Sequence, residues 1–184
     1  IESLLKSSLK NQLHADVPVG IFLSGGIDSS LITSITKSLG IKPKTFSIGF
    51  NYSCFNEAKE SKKIADFLGT DHEEHYLSSK EALNLIPKLP DIYCEPFGDS
   101  IQIPTILLSK IAKKSVKVVL SGDGGDELFG GYNRYIQAKR YFLISKFLPK
   151  FIKKYTSKIL EEINPSTLQN FYDHSKILMP KVFH

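Results

Sequence analysis

Val19-Gly20-Ile21-Phe22-Leu23-Ser24-Gly25-Gly26-Ile27-Asp28-Ser29-Ser30 is the stretch on which the fold turns. Its first five residues form a short apolar run, suited to a strand buried on both faces. The two glycines that follow let the backbone bend sharply and approach a ligand closely, because no Cβ stands in the way. From Asp28 onward, Leu31, Ile32 and Ile35 recur at helical spacing as far as Leu39, and Gly40 supplies a stop. The hydroxyls of Ser24, Ser29 and Ser30 and the first amides of this helix point at one spot, where the positive end of the helix favours an anion such as phosphate. An acid at that place, Asp28, makes sense as a holder of Mg²⁺ that in turn binds phosphate oxygens. No Gly-Lys-Ser/Thr follows and Gly-x-Gly-x-x-Gly is missing, so neither the Walker loop nor the dinucleotide fingerprint is present. The plain alternative is an ordinary strand-to-helix turn with Asp28 as its cap.

Working outward, helical spacing predicts a helix over Leu4–Leu13, ended by Asp16-Val17-Pro18. Thr45–Phe50 and His75–Leu77 read as the second and third strands and Val116–Leu120 as the fourth. Between them lie a helix from a cap at Asn56 to Leu68, closed by Gly69, and one capped by Ser79 with Glu81 in its first turn. A third intervening helix spans Ile103–Lys114, and residues 134–174 read as helices only. Strands alternating with helices imply an α/β fold with a doubly wound parallel sheet, here followed by an all-helical C-terminal extension. The division expected is a first domain over 1–133 and a helical continuation over 134–184. Ligands bind such sheets beyond the carboxyl ends of the strands, and both glycine-rich turns of this chain fall there.

The second of these turns is Ser121-Gly122-Asp123-Gly124-Gly125-Asp126-Glu127-Leu128-Phe129-Gly130-Gly131, directly after Leu120. Three acids and five glycines share its eleven residues. Acids so close repel one another unless protons or a cation offset the charge, and a divalent metal bound with a polyphosphate would do so. The alternative is a flexible acidic surface loop, against which Leu128 and Phe129 argue for an anchored turn.

Ser-Gly-Gly-x-Asp-Ser behind a buried strand resembles the pyrophosphate-binding loop of the N-type ATP pyrophosphatases, which include asparagine, GMP, NAD and argininosuccinate synthetases and some tRNA-thiolating enzymes. The second turn resembles the signature of the asparagine synthetase family. Further agreement runs through Asp16–Gly20, Thr45–Phe50, Glu95-Pro96-Phe97 and Asp99-Ser100, so that the resemblance covers roughly residues 15–135. It implies an adenine nucleotide α-hydrolase-like fold and an ATP site in which Leu23, Ile48, Ser121 and Gly122 hold the adenosine moiety. Ser24, Gly25, Gly26, Asp28 and Ser29 match the pyrophosphate loop, and Asp28 and Asp126 match the Mg²⁺ carboxylates. Asp123 stands where many relatives carry Glu, at a position associated with forming the acyl-adenylate. The reaction implied is amidation of aspartate to asparagine through β-aspartyl-AMP, with ammonia from a glutaminase domain.

Other features bound this expectation. The chain opens at Ile1 inside an amphipathic pattern and stops at His184 after an apolar, proline-punctuated segment, which reads as a piece of a longer protein. Neither an N-terminal catalytic cysteine, nor an Arg-x-Pro-Phe-Leu-Asp segment, nor the family's later lysine motif is found, so the fragment is expected to bind ATP weakly at best and to make no asparagine alone. Cys54 and Cys94, far apart, suggest a reducing cytoplasm, and no run approaches the roughly 18–20 apolar residues of a membrane span. Residues 1–133 hold 14 Lys/Arg against 16 Asp/Glu, whereas residues 134–184 hold 10 against 3. The basic region reads as solvated helix faces rather than a nucleic-acid surface. Tyr132–Tyr141 reads as helix packing, and His72 and His75 as members of a half-exposed strand rather than metal ligands. A homodimer stays open, as do a related amide-forming ligase (β-lactam, peptide macrocycle or sugar amidation), a non-catalytic nucleotide-binding module and an RNA-thiolating enzyme.

Overall fold

The structure, a computed structural model, describes residues 1–50, 57–96, 98–99, 101–147, 149, 151–152 and 154. The cap at Asn56, Cys54, Phe97, Ser100 and the helices expected beyond residue 154 lie outside the described residues. The chain divides into two compact units, Ile1–Phe129 and Gly130–His184.

The first unit runs α1 (Glu2–Leu13), β1 (Val19–Phe22), α2 (Ile27–Ser38), β2 (Lys44–Phe50), α3 (Ala58–Leu68) and β3 (Asp71–Leu77). It continues with α4 (Ser79–Leu85), a 3-10 turn (Ile86–Lys88), α5 (Leu89–Ile92), α6 (Gln102–Ala112), β4 (Val118–Leu120) and α7 (Gly125–Phe129). The sheet order is β3-β2-β1-β4, and all three pairings are parallel. The chain therefore winds outward from β1 through β2 to β3, then returns across to place β4 on the other side of β1. The point between β1 and β4 is the topological switch, where a doubly wound sheet opens a crevice for ligands.

The two faces of the sheet differ in chemistry. In register, Phe22 lies beside Phe46 and Gly20 beside Val119. On that face Phe46 is fully buried in a core with Ile111, Ala112 and Val116, against which Phe22, Leu108 and Val119 pack. Burying a side chain such as Phe46 stabilises the fold by roughly 1.5–3 kcal/mol. The opposite face carries Thr45 and Ser47 on β2 and is covered by α3, with α2 beside it. Buried Thr33, Thr36 and Ser61 turn their hydroxyls back onto carbonyls of their own helical segments, at 2.7, 2.9 and 3.1 Å, so none of them stands unpaired. His72 joins this layer: its ring nitrogens meet Thr45 Oγ1 at 2.9 Å and Ser47 Oγ at 3.1 Å. Burial pushes the His72 imidazole below its ordinary value, with Glu74 and Asp66 partly offsetting the shift.

Several element boundaries differ from the sequence expectation. β3 begins at Asp71 rather than His75, because Asp71–Leu77 pairs residue for residue with Lys44–Phe50. This pairing holds polar side chains in a strand that local propensity alone disfavours. The cap of α4 is Ser78, not Ser79; its hydroxyl accepts from the Glu81 amide, while Glu81 reaches back to the Ser78 amide. Hydrogen bonds from Ser78 also hold the Glu81 carboxyl below the usual range, and His75 Nε2 lies 3.2 Å from it. β4 covers only Val118–Leu120; Val116 belongs to the core but precedes the strand.

In the second unit, α8 spans Asn133–Phe147. Tyr132 and Tyr135 meet edge to face with centroids 5.7 Å apart, and the Arg134 guanidinium lies 4.0 Å from the Tyr132 ring centre. Tyr141, Phe142 and Phe147 of this helix are exposed. Among the described residues no helix is long and apolar enough to cross a membrane.

Candidate functional site

β1 ends at Phe22, and Leu23 follows it fully buried, its amide donating to the Phe46 carbonyl at 2.9 Å. The chain leaves the sheet at Ser24 and bends at Gly25, whose φ of 84° is one that side-chain-bearing residues adopt at a cost of roughly 1–2 kcal/mol. Gly25 is also hemmed in: a Cβ there would stand 3.0 Å from the Ser61 amide nitrogen and 3.1 Å from Glu60 Cβ. The first turn of α3 therefore buttresses this bend. That neighbour escaped the sequence reading, although the small buried residues Ala58, Ser61 and Ala65, at helical spacing, carry the signal of a helix seated closely on other backbone.

The serine hydroxyls are turned inward. Ser29 Oγ accepts from the Ser24 amide at 3.2 Å, lies 3.0 Å from Ser24 Oγ and bonds the Gly26 carbonyl at 3.2 Å. Ser24 Oγ accepts from the Gly26 amide at 3.2 Å, and Ser30 donates to the Gly26 carbonyl at 2.6 Å. The sequence suggested hydroxyls aimed together at a ligand. In the structure they first shape the loop, closing it on itself at the N-terminus of α2, where the helix dipole is positive.

The second turn leaves β4 on the adjacent side of the switch point. Ser121 donates from Oγ to Asp123 Oδ2 at 2.9 Å, and the Gly125 amide donates to the Gly122 carbonyl at 3.2 Å. The acidic stretch was expected as turn alone, yet Gly125–Phe129 winds one short helix, with Asp126 and Glu127 in its first turn. Leu128 and Phe129 do not anchor it: they are 81% and 56% exposed.

The two turns, nearly a hundred residues apart in sequence, touch at Asp28. A Cβ on Gly122 would stand 2.9 Å from the Ser29 amide nitrogen and 3.0 Å from Asp28 Cβ; one on Gly125 would reach the Asp28 carboxylate itself. Asp126 is the next residue along. The structure thus brings Ser24, Gly25, Gly26, Asp28 and Ser29 together with Gly122 and with the acidic segment of Asp123 and Asp126. Ile48 stands on the neighbouring strand, half-buried and paired with His75.

Among the described residues, neither Asp28 nor Asp126 has a basic or hydrogen-bond-donating side-chain partner. Nor do the described residues contain a group of three or more His, Cys, Asp or Glu able to cage a metal. This donor set fits Mg²⁺, which is commonly held by one or two carboxylates together with substrate phosphates rather than by an all-protein cage. His72 and His75 are engaged with Thr45, Ser47 and Glu81. Asp99 accepts from the Ile101 amide at 2.9 Å, ahead of α6. A surface cavity of about 360 Å³ lined by Lys10, Leu13, His14, Leu39 and Ile41 lies at the C-terminal end of α2. A twelve-residue helix puts that end roughly 18 Å from the first turn, so the cavity is separate from it.

A parallel doubly wound sheet with two glycine-bearing turns meeting at its switch point defines an α/β protein of the adenine nucleotide α-hydrolase-like class. A solved structure of glutamine-dependent NAD⁺ synthetase from Acinetobacter baumannii, in complex with adenosine diphosphate, shares this fold. Its TM-score is 0.53 at 21% identity, covering 71% of this chain and 26% of that one. The chain belongs to the asparagine synthase family, whose profile matches residues 1–177. It is 40% identical over 173 residues to a putative glutamine-hydrolyzing asparagine synthetase 2 of Methanocaldococcus jannaschii, covering 93% of this chain and 33% of that protein. It is 43% identical over 135 residues to the glutamine-hydrolyzing asparagine synthetase 1 of Bacillus subtilis, covering 73% and 21%. The chain thus spans a third or less of the length of these relatives.

Proposed function

We propose that this chain is the ATP-using portion of a carbon–nitrogen ligase that amidates aspartate to asparagine. The observation that carries the reading is the contact of Gly122 and Gly125 with Asp28, which brings the serine-rich and the acid-rich turn together at one switch point. Leu23, Ile48, Ser121 and Gly122 hold the adenosine, and Ser24, Gly25, Gly26, Asp28 and Ser29 cradle the pyrophosphate. Asp28 and Asp126 hold Mg²⁺, which when bound offsets the charge of the phosphates. The β-carboxylate of aspartate attacks the α-phosphorus; a P–O bond forms, the bond to the bridging oxygen breaks, and pyrophosphate leaves. Ammonia then attacks the acyl carbon of β-aspartyl-AMP, expelling AMP and giving asparagine after loss of a proton.

No side-chain nucleophile is required, because the loops contribute position and electrostatic preorganisation. Asp123 assists acyl-adenylate formation. The ammonia comes from glutamine through a glutaminase domain elsewhere in the protein, in keeping with the glutamine-hydrolyzing relatives. The test is product analysis on the full-length protein. Aspartate-dependent release of AMP and pyrophosphate is expected, and ADP with inorganic phosphate would refute the reading. Asp28→Asn is expected to lower that rate on the order of 100-fold, the scale of removing a preorganised charge-stabilising group.

A further inference from the structure

Gly125 is not in the left-handed region: the glycines with positive φ are 25, 40, 69, 124 and 130 among the described residues. Its backbone would accept other residues, so the reason for glycine is space. A methyl group there would sit inside van der Waals contact of Asp28 Cγ, and 2.7 and 2.8 Å from the two carboxylate oxygens. Gly122 differs in kind. A methyl group at 122 would meet the Ser29 amide nitrogen at 2.9 Å and the Asp28 carbonyl carbon at 3.2 Å, which are backbone atoms that cannot yield without moving α2. At 125 the obstacle is the end of one short side chain, which can swing away by roughly 120° to another staggered well. Gly122 therefore keeps the loops together, whereas Gly125 controls where one carboxylate points.

We propose that Gly125 is a positioning residue: its missing side chain lets the Asp28 carboxylate lie against the second turn and so fixes the direction in which that acid is presented. This rests on the reading of Asp28 as a ligand of the nucleotide-bound metal. The second turn thereby aims a group that belongs to the first. Glycine at 125 serves the geometry of the acid rather than the path of the backbone.

The experiment uses the 184-residue chain as parent, Gly125→Ala, and the double variant Asp28→Ala/Gly125→Ala. In ligand-free protein, side-chain three-bond couplings report χ1 of Asp28, which is expected to change well in Gly125→Ala while the circular dichroism stays that of the parent. Calorimetric titration with ATP is then run with Mg²⁺ and again with EDTA. The Mg²⁺-dependent affinity is expected to fall about tenfold or more, the scale seen when a group that orients a metal ligand is lost, and the metal-free affinity by less than about twofold. An unchanged χ1, or equal losses with and without Mg²⁺, overturns the proposal. Should Gly125→Ala fail to fold, the double variant is expected to fold, because the obstructing carboxylate is gone; its failure also overturns the proposal. A parent chain that binds neither form of ATP measurably accords with the weak binding expected of this piece and leaves the proposed function to the product analysis; the χ1 measurement then decides the positioning role by itself.

Discussion

The two turns at the switch point are built in opposite ways. The first, Ser24–Ser30, is closed by five hydrogen bonds that serine hydroxyls make among Ser24, Gly26, Ser29 and Ser30, with Ser29 buried at 5% exposure and α3 pressed against Gly25. In the second, Ser121–Phe129, the Ser121 hydroxyl bonds the Asp123 carboxylate, and Asp123 and Glu127 are exposed. Yet the second rests on the first, through Gly122 and Gly125 against Asp28. The difference teaches a division of labour. A preorganised cradle carries no reorganisation cost when an anion arrives, which suits it to phosphate. An acid-rich turn cannot be preorganised equally well, because carboxylates so close in sequence repel one another.

Three experiments would break or sharpen this contrast. The largest effect is expected from Gly25→Ala, which forces a side chain into φ 84° and against Ser61 and Glu60 at 3.0–3.1 Å. A loss of about 2 kcal/mol or more in urea unfolding is expected; a loss under about 0.5 kcal/mol would mean that the first turn is not rigidly seated. Next comes a matched pair, Ser29→Ala and Ser121→Ala. Ser29 ties three partners in a part-buried turn and should cost about 1–2 kcal/mol, while the exposed Ser121 bond should cost about 0.5 kcal/mol or less. Equal costs would erase the distinction between cradle and acidic turn.

The smallest effect lies in the frame beneath the first turn, at His72. Its pKa is lowered in the folded state, so below about pH 6.5, the ordinary value, the unfolded chain takes up a proton that the native one resists. Stability should therefore be level above that pH and decline as pH falls through it. The groups facing the ring are Glu74, Asp66 and Lys62. His72→Gln should flatten the decline in pH-dependent denaturant midpoints, and an unchanged profile would show that the ring is not held neutral.

The sequence alone went far on the scaffold, because the signals that place β1, α2, β2 and α3 are local. Apolar runs such as Val19–Leu23, helical spacing over Leu31, Ile32 and Ile35, and glycines at 25, 40 and 69 all act within a few residues. It was less informative at Asp71–Glu74, where four polar residues form a strand only because β2 offers a complete parallel partner. It also went astray at Leu128 and Phe129, whose apolar character suggested an anchor that tertiary packing does not supply.

By itself, then, the amino-acid order determined that a strand, a turn and a helix would recur, and that two glycine-rich turns would follow strand ends. Only the tertiary structure decided that β4 returns beside β1, that α3 props Gly25, and that Gly125 lies on the carboxylate of Asp28. The physical reason is range. Backbone preference and side-chain periodicity are set over a few residues, whereas strand order follows from burying the Phe46 and Thr45 faces under helices contributed from distant parts of the chain.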